Sequence, residues 1–234
     1  MTNQSPQFPA FSQALAATGV RIPLWIKLAY TGFMAVLIPV YWHHYGPTNF
    51  LYFCDVALLL TLAGVWTENK LLISLPAVGI LLPQALWVVD FAVQLTGHKF
   101  TGMTAYMLDQ GRPLYLRGLS LFHGWLPFLL VYLVAKVGYD RRAFAGWTAL
   151  AWGLCLVCFF FLPAAGAQLP DPKTPVNVNY VFGMSDVKPQ SWMPAGTYLL
   201  VWMTALLAVV FTPTHFALQK LFSHSPKAAP ERSA

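Results

Sequence analysis

The chain has 234 residues, of which 57% are hydrophobic and only 9% charged, with 17 Phe, 10 Tyr and 9 Trp. A water-soluble domain carries about 25% charged residues, so the composition excludes an ordinary soluble enzyme and predicts an all-α, polytopic helical membrane bundle. The net charge of +6 is scattered over short connections, which excludes nucleic acid as a partner and leaves lysine and arginine to set topology.

Residues 1–23 are polar and Ala-rich, without the basic start and short apolar core of a cleaved signal peptide. Six apolar runs follow, at 24–42, 49–66, 71–95, 115–137, 145–162 and 197–216. Their lengths approach the roughly 20 apolar residues that cross ~30 Å of hydrocarbon, so they predict about six transmembrane helices in a membrane domain over 24–222. Pro76 and Pro83 mark the third run as a place for a break, because proline removes a donor and kinks helices. Residues 96–114 and 163–196 are two sizeable connections at one end of the bundle. The second has prolines at 163, 170, 172, 175, 189 and 194, a density that resists regular helix. It reads either as a passive connector or as a lid or binding loop over the bundle mouth. Residues 223–234 read as a disordered tail. An even number of spans puts both termini on one side. That side carries nine Lys and Arg against five on the other, which predicts cytoplasmic termini in a bacterial inner membrane.

Asp55 and Asp90 stand inside the second and third runs, NFLYFCDVALLLTLAGVW and LLISLPAVGILLPQALWVVDFAVQL. A charge in hydrocarbon is costly, so intramembrane acids face a protein interior and mark working sites. Asn49, Cys54 and Asp55 fall near the outer end of the second run, Asp90 and Gln94 near the outer end of the third. His123 lies about two turns into the fourth, after Arg117 and Ser120. Along the third run Pro76, Gly79, Pro83, Trp87, Asp90 and Gln94 recur at three- and four-residue steps, a stripe nearly free of aliphatics that reads as an inward face. Polar groups from four runs thus fall at one depth. The expectation is an outward-facing polar pocket in which His123 lies within one water-bridged step of Asp55 or Asp90.

Each residue also has a structural reading. His123 is either a general base or a cross-helix hydrogen-bonding group. Asp55 is either functional or the ion-pair partner of Arg117, and Asp90 leans toward structure. Cys54 is either a nucleophile or small apolar filler. Arg117 suits a lipid phosphate or a substrate carboxylate. Cys155 and Cys158 have CxxC spacing but lie mid-span with no preceding strand, so a redox site is not expected. HxxxH and HExxH spacings are missing, and the adjacent His43 and His44 cannot both point one way; no metal or other cofactor is expected.

Three segments, NFLYFCDVALLL (49–60), LSLFHGWLPFLL (119–130) and VNVNYVFG (176–183), resemble the YwaF-type bacterial integral membrane proteins. That group is similar to eukaryotic membrane acyltransferases acting on ether phospholipids and, more distantly, to androgen-induced fatty-ester hydrolases. The resemblance implies a helix-borne nucleophile at Cys54, a base at His123 and a loop motif at Asn179 and Tyr180. The chain departs from the pattern at Tyr52, where a histidine is expected two residues before the cysteine. Acyl chemistry needs a base within reach of the nucleophile and a group orienting that base, a role for Asp55 or Asp90. The expected activity is lipid acyl transfer or fatty-ester hydrolysis, with membrane lipids or a small apolar or acyl substrate as partners. Cys54, Asp55 and His123 would be catalytic; Asn49, Trp87, Asp90, Arg117, Asn179 and Tyr180 would contact substrate. No GxSxG elbow is present, so an α/β-hydrolase triad is excluded. The alternative is a non-enzymatic membrane protein: a transporter, a lipid-binding protein or an assembly factor. A transporter of the common kind carries internal repeats, and none is visible.

Overall fold

The computed structural model describes residues 22–171 and 173–222; the polar segment over 1–21 and the tail over 223–234 lie outside the described residues. No strand occurs among the described residues. Among the described residues six helices build the bundle: α1 (Leu24–Tyr45), α2 (Phe53–Thr67), α3 (Lys70–Leu95), α4 (Leu114–Val137), α5 (Arg142–Phe161) and α6 (Ala195–Phe222). Five of them are long and apolar enough to cross a membrane. The exception is α2, whose 15 residues reach only about 22 Å at ~1.5 Å per residue, short of the ~30 Å hydrocarbon core.

The second apolar run was expected to be helical from 49, but its helix begins at Phe53. Pro47–Leu51 forms a separate 3-10 turn, and Tyr52 is extended with φ −62 and ψ 141. A broken backbone inside an apolar bundle must find its partners in protein. Here they come from the distant 163–194 connection. Asn179 Oδ1 accepts from Phe53 N–H at 3.0 Å, and Asn179 Nδ2 donates to the Leu51 carbonyl at 2.8 Å.

The centre of the bundle is α3, which packs on α2, α4, α5 and α6. It is continuous through Pro76 and Pro83, contrary to the expected break. Neighbours on several sides hold its axis, and enclosed helices tolerate proline where packing re-satisfies the freed carbonyls. Its start is fixed by Asn69, whose side chain accepts from Leu71 and Leu72 N–H at 2.9 and 3.1 Å, an N-cap of the usual kind. Two glycines set its distance from its neighbours. A Cβ at Gly79 would fall 1.8 Å from Trp147 Cε2, so only glycine lets that fully buried indole lie against α3. A Cβ at Gly64 of α2 would fall 2.8 Å from Ile73 Cγ1. At the terminal end of the bundle Lys27 pairs with Glu68 at 2.7 Å, tying α1 to the α2–α3 turn.

Two helices are irregular. In α4 the turn tightens at Leu121, where Leu121 N–H bonds to the Gly118 carbonyl and Gly124 N–H to the Leu121 carbonyl. This frees the Ser120 carbonyl for His123. In α6 Leu206–Phe211 is a π-helical segment, and Thr212 Oγ1 donates to the Leu207 carbonyl at 2.8 Å. The 163–194 connection is irregular, as its prolines predict, apart from one short 3-10 turn at Val178–Tyr180. Asn177, Asn179 and Tyr180 are left-handed at φ 51, 60 and 59. Asparagine enters that region readily; a tyrosine there is uncommon.

Candidate functional site

The loop end of the bundle gathers polar side chains from α1, α2, α3, α4 and both long connections. Cys54 and Asp55 are the second and third residues of α2. The first-turn amides of a helix have no intrahelical partner. Asn179 takes that of Phe53. Asp55 is 3% exposed. Its Oδ2 accepts from Asn49 Nδ2 at 3.3 Å and stands 3.8 Å from Cys54 Sγ. Its Oδ1 is buried and has no partner among the described residues.

His123 is half-buried between two rings. Trp87 stacks at 5.2 Å and Phe122 at 4.0 Å. His123 Nδ1 lies 2.8 Å from the Ser120 carbonyl. A carbonyl only accepts, so Nδ1 carries the proton and Nε2 presents its lone pair. The group orienting this imidazole is therefore a backbone carbonyl freed by the tightened turn, where Asp55 or Asp90 was expected. Around it, Tyr41 and Ser120 hydroxyls are 3.1 Å apart. Trp87 Nε1 donates to the Tyr106 hydroxyl at 3.1 Å. Burial pushes the Tyr106 phenol up from its ordinary value, with the Trp87 hydrogen bond opposing.

Asp90, near the end of α3, anchors the 96–113 connection. Its Oδ1 accepts from Thr101 N–H, Thr101 Oγ1 and Gly102 N–H at 2.6, 2.7 and 3.0 Å. Its Oδ2 accepts from Thr104 N–H and Oγ1 at 2.9 and 2.6 Å. Five donors occupy a carboxylate that has about four lone-pair sites, so the expected substrate contact at Asp90 is replaced by a loop anchor. Gln94 joins the same cluster through Thr104 Oγ1 at 2.9 Å. Arg117 Nη1 donates to the Met107 carbonyl at 3.2 Å. The alternative pairing of Arg117 with Asp55 does not form, because the loop backbone takes the guanidinium instead.

Asn179 and Tyr180 sit where the 163–194 connection meets the bundle. Besides bracing α2, Asn179 Nδ2 lies 3.5 Å from Cys158 Sγ of α5, and the Asn179 carbonyl accepts from Trp202 Nε1 of α6 at 2.9 Å. Burial pushes the Tyr180 phenol up to about 12. Asn177 holds the rest of the connection: its Nδ2 donates to the Gly183 and Ser185 carbonyls at 2.9 and 3.2 Å, and its Oδ1 accepts from Phe182 N–H at 2.9 Å. Farther out, His43 is exposed and His44 Nε2 meets the Tyr115 hydroxyl at 2.6 Å. Cys155 and Cys158 are fully buried free thiols.

Among the buried polar groups that sequence reasoning missed are Gln84 and Trp147. Gln84 is an amide in an apolar run, but it lies about 100° off the stripe chosen on the third run. Trp147 gave no signal separable from the other aromatics. Comparison with protein-family models, with curated proteins and with solved structures finds no match to this chain.

Proposed function

We propose that this protein acts on acyl lipids at the loop end of its bundle, passing the acyl group through a thioester on Cys54 to water or to a second alcohol. The observation that carries this reading is the break at Tyr52, braced by Asn179, which starts α2 at Phe53 and so puts Cys54 in a first turn whose backbone amides have no intrahelical partner. The free amides of a helix's first turn can hold an oxyanion. The thiol sulfur attacks the ester carbonyl carbon, and its proton passes to Asp55 Oδ2 or to His123 Nε2. Collapse of the tetrahedral intermediate breaks the C–O bond, and the same base returns the proton to the leaving alcohol. Water or an acceptor alcohol then cleaves the thioester. The three segments that resemble the YwaF-type proteins contain Cys54, His123 and Asn179, in agreement with these roles. The charge bias supports cytoplasmic termini in a bacterial inner membrane, with the loop end outward.

A second reading is a lipid-binding protein without turnover. It is favoured by the direct hydrogen bonds of the site: the Cys54 thiol meets Asp55 at 3.8 Å, and His123 spends Nδ1 on a carbonyl. Purified protein incubated with a panel of phospholipids and fatty esters separates the two. The first reading expects a hydroxylamine-sensitive acyl adduct on the Cys54 peptide, absent in Cys54→Ala, retained in Cys155→Ala and slowed in His123→Gln. Saturable lipid binding with no adduct from any ester would establish the second reading.

A further inference from the structure

Away from Cys54, α1 and α4 leave a groove of about 540 Å³ on the outside of the bundle. Its walls include Trp25, Ala29 and Phe33 from α1 and Trp125, Phe128 and Tyr132 from α4. Contacts made inside the bundle hold those walls. Tyr30 lines the groove but is 3% exposed, and its hydroxyl donates to the Leu58 carbonyl of α2 at 3.1 Å. Trp125 meets Tyr30 and Phe33 edge-on, with ring centroids 6.0 and 4.9 Å apart. Rings wedged between the two helices keep them from closing on each other. Ala29 contributes one methyl where Trp25 and Phe33, four residues to either side on the same face, contribute rings, so a slot stays open between them. Trp25 and Phe128 form its rim, 70% and 72% exposed.

Both helices are long and apolar enough to cross a membrane, so the groove opens on hydrocarbon, where an empty slot forfeits dispersion contacts along one side. From Trp25 to Phe33 it runs about 12 Å at ~1.5 Å per residue, most of the roughly 15 Å of hydrocarbon in one leaflet. That length suits one acyl chain entering from the terminal end of the bundle. A cation stands at the same end. Lys136, one turn beyond Tyr132, holds Nζ 5.6 Å from the centroid of the Tyr132 ring. It is exposed and has no acidic partner among the described residues, whereas Lys27 of α1 is taken by Glu68. We propose that the groove binds one anionic phospholipid from the leaflet at the terminal end, an acyl chain between α1 and α4 and the phosphate on Lys136 Nζ. A phosphatidylglycerol headgroup brings a whole negative charge to the ammonium, whereas the choline of phosphatidylcholine cancels its own phosphate. This site is separate from Cys54 and does not rest on the acyl-lipid reading.

The test is native mass spectrometry of the detergent-purified full chain mixed with equimolar phosphatidylglycerol and phosphatidylcholine of matched acyl chains. Wild type should retain phosphatidylglycerol about fivefold over phosphatidylcholine, the worth of one lysine beside an anionic headgroup. Lys136→Gln should retain the two lipids equally, and Lys136→Arg should keep the preference. Ala29→Trp fills the slot from an exposed position and should retain one phospholipid fewer than wild type. Lys136 and Ala29 are both exposed, so these variants should melt near the wild-type temperature. No retained lipid or equal retention in wild type, a preference kept in Lys136→Gln, or as much lipid in Ala29→Trp as in wild type would each overturn the assignment. A lipid-free species of twice the mass, abolished by Ala29→Trp, would overturn it in favour of a second copy of the chain. Cys54→Ala should retain lipid as wild type does, so this proposal and the acyl-lipid reading can fail separately.

Discussion

Asn179→Ala is the sharpest perturbation of the architecture around Cys54. The asparagine side chain satisfies two backbone groups at the break before α2, accepting from Phe53 N–H at 3.0 Å and donating to the Leu51 carbonyl at 2.8 Å. Asn179 itself is 4% exposed, so water does not readily replace it. Leaving a buried donor or acceptor unmade costs about 1–3 kcal/mol each, hence about 2–6 kcal/mol for the pair. The residue also sits at φ 60, where an ordinary side chain adds roughly 1–2 kcal/mol of backbone cost. A loss of that size is a large share of a stability of about 5–15 kcal/mol. Thermal or denaturant unfolding in detergent would measure it, with mass-resolved maleimide labelling reporting on Cys54. Asn179→Ala should unfold markedly earlier and label Cys54 faster. Asn177→Ala loses bonds only within the 163–194 connection and should leave Cys54 labelling unchanged. An Asn179→Ala protein within about 0.5 kcal/mol of wild type, the range of inert surface changes, would refute the bracing argument.

Two further expectations concern the 163–194 connection. Partial burial holds the Asp186 carboxyl above its ordinary value, with the Asn177 amide at 3.4 Å opposing. A raised carboxyl pKa means that the folded connection binds more protons than the unfolded chain. Its contribution is therefore fully present below the unfolded-chain pKa and is lost as pH rises through the folded one. Amide-exchange protection over 177–187 should fall between acid and neutral pH in wild type and stay level in Asp186→Asn; matching profiles would sink the idea. For orientation, Ser185→Cys should react with a membrane-impermeant maleimide in intact cells, and protection until lysis would reverse the proposed topology.

The apolar runs alone determined that the chain is an all-helical membrane bundle, and single polar residues within them marked its loop end. That much is legible because hydrocarbon leaves the backbone no partner but its own helix, so hydrophobic length is a direct signal. The roles of the individual polar residues were not legible. Asp55 and Asp90 look alike in sequence, yet Asp90 is filled by five donors from residues 101–104, while one buried oxygen of Asp55 has no partner among the described residues. The start of α2 was misread because its cap comes from Asn179, which is 126 positions from Phe53. Burial cost acts on each polar group locally and so leaves its trace in the sequence. The partner that relieves that cost arrives from elsewhere in the chain, and only the close approach of helices and loops selects it.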